Sequence, residues 1–199
     1  MEADQHVREV DEAHVALPYL LPRSLFTTNY DELVELGYKQ SPYQVDVICN
    51  SRTPVTGRTI LYKPHGSLSH SNQEIGDGGL VITLFNYLKM IADYRAMLRK
   101  AMTGFDAACV VFVGYSFGDM DIGAELYALR QQDSGIPWYA VFPRQDPQVR
   151  KMYSEHFKID QIDATFESFL ASLDSAVGFI PDRFKHKNKA ALQAEGTIQ

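Results

Sequence analysis

Between Ser24 and Val177, short runs rich in β-branched and aromatic residues alternate with segments of helical period. That alternation most narrows the choice of fold. Strands separated by helices cannot close hairpins, so they pair in parallel, with helices packed on the sheet faces. Strands are predicted at Ser24–Thr28, Thr59–Lys63, Leu80–Thr83, Cys109–Gly114, Trp138–Phe142 and Ile159–Asp163. The unbroken Val110-Val111-Phe112-Val113 run has the character of a strand buried on both faces, which predicts a central place for it. Helices are predicted at Glu2–Leu17, Tyr30–Leu36, Phe85–Met102, Asp119–Gln132, Pro147–His156 and Thr165–Val177. In the longest, Leu84, Leu88, Ile91, Tyr94, Leu98 and Met102 recur at steps of three and four, a stripe that predicts core packing.

The punctuation agrees with this reading. Asn29 or Asp31 is placed to cap the helix after the first strand, Asp119 to cap a later one, and Pro147 to occupy a first helical turn. Gly37 and Gly104 are expected to close helices. Tyr43–Gly57 and Ser69–Gly79 lack periodicity and are expected to be irregular, the second a loop over a site. Within it, Gly76-Asp77-Gly78-Gly79 reads as a turn, because a dinucleotide loop follows a strand and opens a helix. The fold class expected is α/β, a Rossmann-like three-layer domain with a mostly parallel central sheet. Its divisions are an N-terminal helix over 1–21, the α/β domain over 22–178 and a polar tail over 179–199.

A chain of 199 residues with 45% hydrophobic content supports one core. Its net charge of −6 offers no general attraction to nucleic acid, and no basic patch interrupts the body of the sequence. Ala107 to Val113, the longest apolar stretch, is far short of the roughly 20 residues a membrane span needs. The acidic start is unlike a secretory signal, so the expected location is the cytoplasm. Cys49 and Cys109 lie 60 positions apart in apolar company, which predicts two buried free thiols and no metal site.

In open α/β sheets, ligands bind beyond the carboxyl ends of strands, so polar residues directly after strands carry the most interest. Three clusters qualify. Thr27-Thr28-Asn29-Tyr30-Asp31 sets an amide and a carboxylate where a strand turns into a helix and backbone N–H groups are free. The amide both donates and accepts, which suits it to orienting a water or a sugar hydroxyl; simple helix capping explains the same residues. Lys63-Pro64-His65-Gly66-Ser67 offers an imidazole for proton transfer near neutral pH, a glycine allowing close approach, and a hydroxyl. A structural histidine explains it equally. In the third, Gly114-Tyr115-Ser116-Phe117-Gly118-Asp119, Gly114 admits a ligand, Ser116 supplies a hydroxyl and Asp119 caps a helix or accepts from a sugar. Its first five residues also match a serine-hydrolase elbow, but the histidines later in the chain, His156 and His186, sit in charged, helical surroundings.

In this order and spacing, the clusters resemble the sirtuin-like domain family of bacterial NAD-consuming proteins, many of them in antiphage defence. Thr27-Thr28-Asn29-Tyr30-Asp31 is similar to the family's Thr-Thr-Asn-Tyr-Asp, Lys63-Pro64-His65-Gly66-Ser67 to its Lys-Leu-His-Gly-Ser, and Gly114-Tyr115-Ser116-Phe117-Gly118-Asp119 to its Gly-Tyr-Ser-x-x-Asp. The likeness runs from about Pro22 to Leu173. It implies NAD as substrate, hydrolysed to nicotinamide and ADP-ribose without a metal. Asn29 would orient the ribose and the attacking water, and His65 would act as general base. Asp31 would contact the carboxamide, and Gly114 and Ser116 would hold the adenosine side. Thr28, Gly66, Ser67, Tyr115 and Asp119 complete the binding set that the likeness implies.

Two departures shape the expectation. Protein-deacylating sirtuins carry a four-cysteine zinc module, which two isolated cysteines cannot build. The family also opens with a Gly-Ala-Gly-type phosphate loop, whereas the glycines before His65 are Gly37 and Gly57 alone. The expected domain is therefore N-terminally truncated relative to the family: a fragment, the product of a late start, or a degenerate copy completed by another chain. An NAD glycohydrolase is the first reading and a noncatalytic NAD- or ADP-ribose-sensing scaffold the second. An open sheet edge would recruit a second copy or an associated effector chain.

Overall fold

The computed structural model of the chain describes residues 10–50, 52–75, 77–103, 109–115, 117, 120–132, 135–144 and 146–182. Among the described residues six strands form: β1 (Ser24–Phe26), β2 (Val45–Ile48), β3 (Thr59–Tyr62), β4 (Val110–Val113), β5 (Trp138–Phe142) and β6 (Ile159–Asp163). Six α-helices accompany them: α1 (Glu12–Ala16), α2 (Leu33–Lys39), α3 (Leu84–Thr103), α4 (Met120–Gln131), α5 (Pro147–Phe157) and α6 (Phe166–Val177). Every ladder among them is parallel, including β2–β3, whose connection contains no helix. The strands divide into two three-stranded sheets, β1-β3-β2 and β4-β5-β6. The fold is thus α/β with parallel sheets, of the Rossmann-like kind expected.

Three differences from the sequence reading have physical causes. The stretch expected to be irregular contains β2, which carries Asp46 in its middle and so lacks an apolar signature. Asp46 is buried because Arg52 reaches back to both its carboxylate oxygens, at 3.1 and 2.7 Å, and to the Val47 carbonyl at 2.7 Å. The guanidinium holds the Asp46 carboxyl below the usual range and covers an edge strand that would otherwise be open. Leu80–Thr83 forms no strand; Val81 within it is buried in a core and closes the site described below. β4 is an edge strand of its sheet, not a central one, and Val111 and Val113 on its outer face are each 39% exposed.

Two hydrophobic cores serve the two sheets. One gathers Leu98, Ile122, Leu126, Trp138, Ala140 and Ile159 around β4–β6; the other gathers Ile48, Tyr62, Val81, Met90 and Met97 around β1–β3. Phe26 packs against both, and α3 feeds both. A third cluster joins Ala13 and Ala16 of α1 to Leu170 of α6 and to Ile180. Gly37 lies inside α2 rather than closing it, because a Cβ there would stand 2.1 Å from the His14 carbonyl oxygen of α1. Gly104 lies outside the described residues. The cap at Pro147 is as expected, with Asp146 Oδ1 accepting from the Gln148 N–H at 2.7 Å.

The two thiols differ. Cys49 is partly buried, and burial pushes its thiol pKa up, whereas Cys109 is exposed, against expectation. Alkylation of the native protein is therefore expected to modify Cys109 first and Cys49 only slowly. Intact-mass spectrometry over time checks this, and two adducts appearing at one rate would contradict it.

Candidate active site

Parallel pairing brings the ends of β1 and β3 side by side, and the first two motif clusters leave from those ends. The Thr27 N–H continues the ladder by donating to the Tyr62 carbonyl at 3.0 Å. Beyond it the chain turns through Asn29, whose N–H donates to Thr27 Oγ1 at 3.1 Å and whose residue is exposed. Asp31 stands one residue before the N-cap position, its Oδ1 accepting from the Leu33 N–H at 3.1 Å, and α2 begins three residues later than expected.

Lys63 ties the two loops together. It is wholly buried, and its ammonium donates to the Asp31 carbonyl at 2.5 Å, to Glu35 Oε1 at 2.9 Å and to Ser67 Oγ at 3.1 Å. A buried cation is tolerated only when paired and hydrogen-bonded, and here three acceptors meet its three protons. Glu32 adds a second tie: Oε1 accepts from the Ser69 N–H at 3.0 Å and from Ser67 Oγ at 3.3 Å. The Ser69 side chain is the largest cause holding the Glu32 carboxyl below its usual range, against an opposing desolvation and with the Ser69 N–H adding to it. The Leu68 N–H closes the junction on the Tyr30 carbonyl at 2.9 Å.

His65 sits in a box of tyrosines. Its ring stacks on Tyr94 at 5.8 Å with an interplanar angle of 19°, and Tyr30 and Tyr87 each stand 6.2 Å away. The box is closed by the segment expected to be a strand. The Val81 N–H donates to the His65 carbonyl at 2.9 Å, and the Tyr30 hydroxyl donates to the Val81 carbonyl at 2.5 Å. Tyr94 also belongs to the core of the second sheet, so one ring serves both the box and that core.

The remaining residues of the expected set differ in what holds them. Gly66 has φ +88°, and a Cβ there would stand 2.3 Å from the Gly79 carbonyl oxygen, so its bareness is used by the 78–79 backbone. Ser67 is 1% exposed and its hydroxyl is spent on Lys63 and Glu32, which makes it a support of the loop. Thr28 is half-buried beside Asn29. Gly114 ends β4 with φ +61° and open space around it, and Tyr115 packs edge-on against Phe117 at 4.8 Å. Ser116 and Asp119 lie outside the described residues. The first two clusters therefore touch directly, and the third connects to them through the core that Tyr94 shares with Tyr115 and Phe117.

Sequence reading missed Lys63, Glu32 and Glu35 as the ties and Tyr87 and Tyr94 as walls. The available signal was Lys63 itself, a lysine at the end of an apolar strand. Two surface depressions, of about 250 and 510 Å3, flank the first sheet, and neither is lined by Asn29 or His65. The larger lies over β2 and α2 and is lined in part by Glu32, Glu35 and Ser69, so the underside of the tie opens to solvent there.

Comparison with known protein families matches residues 23–162 to the SIR2-like domain, a stretch running from β1 into β6. The chain belongs to the SIR2-like domain family. Among curated proteins, this SIR2-like domain is similar to the NAD(+) hydrolase ThsA of Enterococcus faecium, 27% identical over 156 residues. It is also similar to the NAD(+) hydrolase ThsA of Bacillus cereus (strain MSX-D12), 26% identical over 133 residues. The matches cover 75% and 64% of the SIR2-like chain but 30% and 27% of those relatives. Among the described residues, no group of three or more His, Cys, Asp or Glu side chains is placed to hold a metal ion, and no helix is long and apolar enough to cross a membrane.

Proposed function

We propose that this SIR2-like domain hydrolyses NAD to nicotinamide and ADP-ribose in the cytoplasm, with the α/β body over 22–178 carrying the site. The observation that supports this best is the junction of the two loops. Lys63 and the Leu68–Tyr30 hydrogen bond hold the exposed amide of Asn29 beside the loop that carries the boxed imidazole of His65. The similarity to two NAD(+) hydrolases points the same way.

The chemistry asks little of general acids, because nicotinamide leaves from a ring nitrogen that is already cationic. Its bond to the ribose C1′ breaks, the electron pair goes to the pyridine nitrogen, and a water oxygen bonds to C1′. Asn29 orients that water and the ribose hydroxyls; His65 takes a proton, which returns to solvent. The free carboxylate oxygen of Asp31 accepts from the carboxamide. Gly114 and Tyr115, with Ser116 and Asp119, bind the adenosine side, and Thr28, Gly66 and Ser67 shape the ribose side.

A second reading is favoured by one observation: the Ser67 hydroxyl and the bare Cα of Gly66 are both used inside the loop itself and are not offered to a ligand. On that reading the domain senses NAD or ADP-ribose without turnover. Either way, the open edge of β4 suits an added strand from a second copy or an associated effector chain.

Nicotinamide release from NAD, followed by chromatography on the folded chain, separates the two. Steady release supports the hydrolase. No release together with saturable ADP-ribose binding by calorimetry transfers the case to the sensor, and neither release nor binding overturns both.

A further inference from the structure

Glu32 occupies the N-cap position of α2 yet makes no cap hydrogen bond. A side chain at that position usually accepts from the first N–H groups of its own helix, and glutamate is not among the residues that do so well. Here Asp31, one residue earlier, accepts from the Leu33 N–H instead. The Glu32 carboxylate reaches across to the loop beyond His65, where Oε1 accepts from the Ser69 N–H at 3.0 Å and from Ser67 Oγ at 3.3 Å. A directional chain ends on it: Lys63 donates to Ser67 Oγ, which turns the Ser67 proton toward Glu32. Ser69 is exposed and Glu32 half-buried, so the contact lies at the surface, where one hydrogen bond adds little to global stability. Glu32 lines the depression over β2 and α2, which neither Asn29 nor His65 lines.

We propose that Glu32 is a positioning residue, whose carboxylate clasps the loop after His65 to the loop that carries Asn29 and so fixes the separation of the amide and the imidazole. The role rests on the hydrolase reading above, because that separation matters only if both groups act on one ribose. The lever arms are short: Glu32 follows Asn29 closely in the chain, and Ser67 follows His65. The other ties between the loops, from Lys63 to the Asp31 carbonyl and from the Leu68 N–H to the Tyr30 carbonyl, end on backbone. Glu32 contributes a side chain, placed outside the ladders and the hydrophobic cores, so its removal loosens the spacing and leaves the fold standing. A misplacement of about 1 Å costs on the order of 10²-fold in a reaction that depends on orientation.

The test separates reach from charge and from stability. Nicotinamide release by the full chain, with kcat and KM resolved, is measured beside melting curves for the wild type, Glu32→Ala, Glu32→Gln and Glu32→Asp. Glutamine keeps the reach and an accepting oxygen but not the charge; aspartate keeps the charge, is a better cap, and is one methylene too short to meet Ser69. The expected result is a kcat about 10- to 100-fold lower in Glu32→Ala and Glu32→Asp, with KM within about threefold and Glu32→Gln close to wild type. Glu32→Asp is expected to melt no lower than the wild type, so its loss of turnover cannot come from the fold, and it decides the matter should the alanine variant fail to fold. Wild-type kcat in folded Glu32→Ala and Glu32→Asp overturns the inference, as does a loss confined to KM. An active Glu32→Asp beside an inactive Glu32→Gln also overturns it, since charge toward Lys63 would then be what matters. A wild type that releases no nicotinamide overturns the hydrolase reading and this role with it; a releasing wild type with unaffected variants overturns this role alone.

Discussion

Nicotinamide release from NAD will fall by about 10²- to 10⁴-fold when His65 is replaced by alanine, the range a positioned general base contributes. Asn29→Ala will lower it by roughly 10²-fold or more, the loss typical of removing one preorganised polar group from a reacting centre. The two substitutions test different things. Asn29 is exposed and donates to Thr27 from its backbone N–H, so the alanine variant keeps the fold and the loss lands on turnover. His65 also fills the tyrosine box, so His65→Ala must be paired with a melting curve, and His65→Gln keeps more of the volume. Release within a few-fold of wild type in a folded His65 variant would remove the imidazole from the chemistry.

The largest effect on stability is expected at Lys63. Lys63→Met will cost about 3 kcal/mol or more, because breaking a buried pair strands the remaining charge. Glu35 is poorly placed to bear that loss. One of its oxygens accepts from Lys63, and the other is buried with no hydrogen-bond donor among the described residues. Replacing both partners, Lys63→Met with Glu35→Leu, should recover much of the stability, since apolar substitutes for a buried pair are often neutral. Denaturant unfolding of the two single variants and the double reads this directly. A double variant no more stable than the worse single would show that the pair is not the unit of stabilisation. A recovered double variant still lacks the donor to the Asp31 carbonyl, so its loop junction rests on the Leu68–Tyr30 hydrogen bond and the Glu32 contacts.

How far the sequence spoke depended on whether a residue's environment is local. β1, β3, β5 and β6 and the later helices were readable because each carries its own period or punctuation. The motifs at Asn29 and His65 were readable because they follow strands and match a family pattern in order. β2 was not, since a buried aspartate interrupts it and its neutralising partner, Arg52, lies outside the strand. Leu80–Thr83 looks like a strand by composition but has no neighbour to ladder with; its hydrogen bonds go to His65 and Tyr30, far back in the chain. The burial of Lys63 is equally non-local, resting on Asp31, Glu35 and Ser67. The helical stripe of α3 foretold which side chains share a face, but not where along the helix the covering core runs out: Tyr94 and Leu98 are buried, whereas Leu84 and Leu88 are exposed.

The single tryptophan has a practical bearing on every experiment above. Trp138 is 4% exposed in the core of the second sheet, with the Arg130 guanidinium 5.0 Å over its ring. Its emission therefore reports the half of the molecule built on β4–β6. The Lys63 junction belongs to the other half, which among the described residues shares no backbone ladder with it. Loosening of that half reaches the indole through Phe26, Tyr94 and α3, and less directly through α1 and α6. Ultraviolet signals from the tyrosines around His65, rather than tryptophan fluorescence, are the optical window on the chemistry.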